Sequence, residues 1–391
     1  MFHWTIDAFF WLVLPIAVLE ALRVTRQQFK HQGRSLIHAL LFGLAEVLTV
    51  GLAAATASPW FLGSLTALRV VAYVLRERRL WGRRLMTSTL ICGGLLILAV
   101  VGQVHTFDQI AAAEIGRPWR LLILALLAGA PALTILPVRI ADEPRETLAA
   151  PLALIAFARV ALPLGAAEPL FHGVVPVLAA VLSLICALWL LSAGSRANQF
   201  VPSTLVLEIL ACERGVMLAF AWIGLASGSE LAVVGGLFQW WSGGLALLAL
   251  EGALSRRPLP KAMAFFALAM AVSLPGTIGF VAEDLLAQGL LELRPFVAAA
   301  FLAITAINAA ALYLALVNLM VDLQAADLHQ GGTAPQARPS FMMLSAAVLA
   351  VIVGFLPGPF VDLATHAQAA IAPGVTNPPT HTNPPPHNGG R

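Results

Sequence analysis

The sequence predicts an all-α polytopic membrane protein of about twelve transmembrane helices. Three observations predict it. Of 391 residues, 59% are hydrophobic and only 11% are charged, well under half the charged fraction of a soluble domain, roughly 25%. Mean hydropathy is +0.86. The apolar residues fall in runs of about 17–25, the length that crosses a bilayer as a helix.

Twelve such runs lie near residues 6–22, 36–56, 60–75, 86–104, 121–138, 149–165, 174–194, 203–226, 232–254, 262–282, 296–320 and 341–363. Helix is the expected conformation because lipid offers no hydrogen bonds to the backbone. The first run lacks a basic leader region and contains Glu20, so it reads as the first span and not as a cleaved signal. Residues 1–365 form the transmembrane domain. Residues 366–391 form a tail whose Pro, Asn, Thr and His content predicts disorder.

Charge placement sets the orientation. With helices alternating, the odd-numbered loops hold 16 of the 23 basic residues. They include Arg23, Lys30, Arg76, Arg79, Arg84, Arg145, Arg196, Arg257 and Arg338. The other loops and the C-terminus hold Arg117, Arg120, Arg294 and Arg391. The positive-inside rule then places the odd loops in the cytoplasm and both termini outside. The pI near 9.1 thus reports topology, and no nucleic-acid partner is expected. Cys92, Cys186 and Cys212 sit in apolar runs without metal-ligand spacing. No metal site, cofactor or nucleotide-binding motif is expected. His105 and His172 fall on the outer face and His38 at the cytoplasmic edge, too dispersed for one site.

Ionisable groups inside spans are functional candidates because each costs several kcal/mol unless paired or hydrated. Glu20 and Glu251 lie near helix ends, within reach of water. Glu46, Arg69 and Arg159 are the deepest. Glu208, Glu213 and Arg214 share one helix, with Glu213 and Arg214 about 100° apart and unable to pair with each other. Together Glu46, Arg69, Arg159, Glu208, Glu213 and Arg214 make a candidate intramembrane charge network. Pairing for structure is the competing reading of each. The two lysines, Lys30 and Lys261, both lie in loops. That excludes a lysine relay within the membrane, since arginine does not titrate in proteins. Pro275, Gly276 and Gly279 break the tenth helix, as a kink for packing or as an opening onto a path.

Four stretches resemble the antiporter-like membrane subunits of NADH:quinone oxidoreductase (the L, M and N subunits) and their relatives in group 4 hydrogenases, Mrp antiporters and DabB. Ser273–Glu283, SLPGTIGFVAE, resembles the family's GLPGTSGFVGE. Gly354–Leu363, GFLPGPFVDL, resembles its GLYPxPLLDL ending. The stretch Gly82–Asp108, ending HTFD, and Thr147–Val160, TLAAPLALIAFARV, resemble a GTFD loop and a TPVSALL segment. The resemblance implies an antiporter-like fold with a broken helix in a bacterial inner membrane. It implies membrane and peripheral partner subunits, and quinone sites on other chains. The family's conduction residues are largely replaced. The glutamate expected in the helix at 60–75 falls near Leu65, and the family's lysines fall at Gly129, at Arg159 and near Gly244, with a histidine near Trp240. Its late-helix lysine or glutamate has no counterpart, Asn308 being the polar group near mid-helix in 296–320.

The resemblance therefore implies a subunit of an ion-translocating or redox-coupled complex with a structural or coupling role, at most a non-catalytic part of an enzyme. The alternatives are a proton-coupled ion or inorganic-carbon transporter with a rewired path, and an unrelated transporter or membrane enzyme. The topology is tested by a membrane-impermeant maleimide on intact cells, with the native cysteines replaced. A cysteine at Asp108 is expected to label and one at Arg145 to stay shielded, and the opposite pattern would invert the orientation.

Overall fold

The structure is a computed structural model that describes residues 7–16, 18, 19, 22, 36–76, 83–136, 149–166, 168–196, 202–254, 261–329 and 341–371. Nearly all of them are helical. α1 is helical over residues 8–16, and the Asp7 carboxylate caps it by accepting from the Phe10 N–H at 3.0 Å. Then follow α2 (Leu36–Ala55), α3 (Pro59–Arg76) and α4 (Arg83–Gly102), and after a short 3₁₀ turn at Phe107–Gln109, α5 (Arg117–Ile135). α6 (Ala149–Ala156) continues through a π-helical turn, Phe157–Ala161, into α7 (Leu162–Gly165). The remaining helices are α8 (Pro169–Ser195), α9 (Pro202–Ala226), α10 (Glu230–Leu254), α11 (Lys261–Ala271), α12 (Ile278–Leu293), α13 (Pro295–His329), α14 (Phe341–Phe355) and α15 (Gly358–Ile371).

Among the described residues six helices are long and apolar enough to cross a membrane, and the bent pair α14–α15 makes a seventh if counted as one span. Several of the other expected crossings are interrupted or short. The run at 262–282 is two helices, with α12 extending to Leu293. The run at 341–363 is bent: α14 stops at Phe355, and α15 leaves at 87°. Its sequence explains the turn, because Pro357 and Pro359 flank Gly358 and proline withholds backbone donors. α15 runs to Ile371, past residue 365, so residues 366–371 belong to a helix and not to the tail. The rest of the tail, including His381 and His387, lies outside the described residues.

α9 and α10 form the centre. Each is 89% buried across its span, against 33–44% for the other four unbroken spans, so the latter turn a broad face outward. α10 packs on α9, α11, α12, α14 and α15, while α3, α4 and α5 pack in sequence beside them and α8 joins α9 to α13. Close approach at the centre depends on glycine. A methyl on Gly236 would meet the Ala221 carbonyl oxygen at 2.7 Å and Gly224 Cα at 3.1 Å, backbone atoms that have no side chain to move aside. Small residues at helix contacts let dispersion forces act where no hydrophobic drive exists between lipid-embedded helices. Gly236→Ala is expected to destabilise the bundle by about 1–3 kcal/mol, read as a lower midpoint of thermal unfolding in detergent, while Gly173→Ala, at an open position, leaves it unchanged.

Candidate functional site

Arg159 is the best-defined buried charge. It sits in the π-helical turn, where the Leu162 N–H bonds back to the Phe157 carbonyl. Such turns recur at functional sites. Its side chain is 7% exposed and ion-pairs with Asp7 at 2.8 Å. Nη2 also donates to the Ala54 carbonyl at 3.1 Å. The guanidinium lies 5.1 Å from the Phe9 ring centroid and 6.0 Å from that of Phe107, a cation–π arrangement. Phe107 is itself fixed, its N–H donating to Ala57 O at 2.9 Å. One side chain thus joins α1, the end of α2, the 3₁₀ turn and the π turn. The HTFD stretch and the Thr147–Val160 stretch meet here.

Glu213 makes a second, separate centre. It is fully buried on α9 and accepts from Asn308 Nδ2 of α13 at 3.0 Å. Glu213 Oε1 and Asn308 Oδ1 have no hydrogen-bond partner among the described residues. Glu283 of α12 lies within electrostatic reach of Glu213. Glu208, five residues earlier, faces outward and accepts from the Trp189 indole at 2.8 Å. Arg214 points elsewhere again, into a cavity lined by Gln239 and Trp240 of α10. Arg69 is half-buried on α3. The backbone of Glu46 lies in α2, and its side chain, like the whole of Glu20, is outside the described residues.

Arg159, Glu208 and Glu213 each close on a residue outside the expected network. Two of those partners, Asp7 and Trp189, carry sequence signals that were available: Asp7 stands at the capping position ahead of an apolar run, and Trp189 is an amphipathic ring near a helix end. Asn308 is the lone polar residue at mid-helix in 296–320. A further buried carboxylate, Glu168 at the start of α8, pairs with Arg120 at 3.4 Å and Arg117 at 3.7 Å and was missed because it lies in a short loop. His172 bonds the Ala226 carbonyl at 3.0 Å, and His105 is exposed.

At the helix break, Ser273 and Gly276 take left-handed φ values of 54° and 90°. Thr277 donates from its hydroxyl to the Leu274 carbonyl at 2.8 Å. Gly354 of α14 abuts the opened backbone: a methyl there would lie 2.6 Å from the Thr277 carbonyl carbon and 2.7 Å from that of Gly276. The SLPGTIGFVAE and GFLPGPFVDL stretches are thus in contact. Gly279 faces Ser273, whose Oγ a methyl would approach at 2.6 Å. Gly354 packs against Gly276 and Thr277, while Leu274 and Pro275 at the break are exposed.

The fold recurs in solved structures. A chain of the Mrp complex from Dietzia sp. DQ12-45-1b superposes with a TM-score of 0.69 at 16% identity, covering 95% of this chain and 85% of that one. The fold is antiporter-like. A chain of respiratory complex I from Thermus thermophilus matches with a TM-score of 0.67 at 17% identity over 94% of this chain and 84% of that chain. A chain of the archaeal membrane-bound sulfane sulfur reductase matches at 0.64 and 14% identity over 95% and 84%. All three are membrane complexes, and the present chain is a multi-pass membrane protein of the same architecture. No family model and no curated protein matches its sequence.

The Asp7–Arg159 pair is tested by a double-mutant cycle. Asp7→Ala strands the buried Arg159 and is expected to cost about 3–5 kcal/mol; Arg159→Ala leaves the part-exposed Asp7 and is expected to cost less, with the double variant costing less than the sum. Additive losses would show that the two do not interact.

Proposed function

We propose that this chain is a membrane subunit of a larger ion-translocating or redox-coupled complex, crossing a bacterial inner membrane twelve times with both termini outside. Its role is structural or coupling. The observation that carries this reading is the match over 94–95% of the chain to subunits of three different membrane complexes. Supporting it, Arg159 stands where the family's lysine falls and is held by Asp7, an aromatic pair and a backbone carbonyl. A guanidinium so enclosed is a fixed charge that ties elements together and does not release its proton. Redox chemistry and any cofactor reside on partner chains.

A specific observation favours a second reading, in which the chain itself conducts. Glu213 is a titratable carboxyl buried at the centre of the bundle, bonded to Asn308 and near Glu283. Intramembrane carboxyls so placed mark ion paths.

The tagged chain purified from its native membrane in mild detergent is expected to bring down further membrane and peripheral subunits in fixed stoichiometry, identified by mass spectrometry. A monodisperse chain without partners would overturn the subunit reading. The chain alone in liposomes is then expected to show no proton or sodium flux. A flux abolished by Glu213→Gln would establish the second reading.

A further inference from the structure

Between α1, α9 and α10 lies a cavity of about 20 Å³ lined in part by Ile16, Arg214, Met217, Gln239, Trp240 and Gly244. By volume it has room for one or two water molecules. Two polar groups on its wall are buried and unpartnered. Gln239 is 0% exposed and Trp240 5%, and neither Gln239 Oε1 nor Trp240 Nε1 has a hydrogen-bond partner among the described residues. The Gln239 amide nitrogen is committed to Met217 Sδ at 3.0 Å, which leaves its oxygen as the open acceptor. Buried polar groups are almost always satisfied, by protein or by ordered water.

We infer that this cavity is an internal water site, with water donating to Gln239 Oε1 and accepting from the Trp240 indole N–H. The pairing of one acceptor with one donor selects the ligand. A small cation would suit the amide oxygen but would face the indole N–H and the Arg214 guanidinium. An anion would suit the indole but would face the amide oxygen. Water alone serves both, since it donates and accepts at once. The site is closed on one side by α1. A methyl on Gly244 would reach Ile16 Cγ2 at 2.8 Å, and the Trp241 indole donates to the Leu12 carbonyl, so α1 rests directly on this stretch of α10. Between Glu230 and Glu251, α10 has no titratable side chain. The site stands whether or not the chain translocates ions.

Pulsed X-ray radiolysis of the purified protein, or of its intact complex, in ¹⁸O-water tests this, because radicals formed from bound water oxidise the side chains beside it. Met217 and Trp240, 4% and 5% exposed, are expected to oxidise at least tenfold faster than the equally buried Met270 and Trp222, each 3% exposed. Equal protection of all four would overturn the site, and that comparison needs no variant. In Gln239→Leu, oxidation at Trp240 is expected to fall to the level of Trp222. Undiminished oxidation there would overturn the assignment of Gln239 as the group that holds the water.

Discussion

A positive charge that cannot be neutralised must be matched wherever it is buried, and the first half of this protein is arranged around one such charge. The Arg159 guanidinium has lost its hydration, and loss of either partner would leave a bare ion at high cost. Matching it takes a carboxylate from α1, a carbonyl from the end of α2, and aromatic faces from α1 and the Phe107 turn. None of these is near Arg159 in sequence. The π turn, centred on Arg159, opens the helical ladder by one residue at the place where the side chain must leave it. Asp7 does two things with one carboxylate, capping α1 and holding Arg159, so the position of α1 and the state of the charge are the same question.

The second half rests on contact between backbones. α9 and α10 meet through glycines, and the broken segment between α11 and α12 receives Gly354 where a larger residue would strike carbonyl carbons. The four sequence stretches that carry the family resemblance therefore form two contacts in space. One is the Phe107–Arg159 cluster, and the other is Gly276–Thr277 against Gly354. Both contacts hold the architecture together.

The helices were legible because lipid imposes one length and one kind of side chain on every crossing. The break at Pro275–Gly276 was legible because proline and glycine act locally. The 87° turn after Phe355 was spelled just as plainly by Pro357, Gly358 and Pro359, but the apolar run continued through it, and length outweighed the breaker signal. The buried charges were legible as individuals and illegible as pairs. Arg159, Glu208 and Glu213 stand out against apolar neighbours, whereas Asp7 sits at a helix end where an acid is ordinary, and Asn308 is uncharged. Pairing is a property of helix packing, and a single sequence carries no record of which helices touch.

The distance along the chain between Asp7 and Arg159 bears on how the protein is made. α1 leaves the ribosome and enters the membrane long before the helix that carries Arg159 is synthesised. Until then Asp7 has its own helix to cap and no cation to face. By the time Arg159 is made, the carboxylate that it faces in the folded protein has long been part of the growing chain.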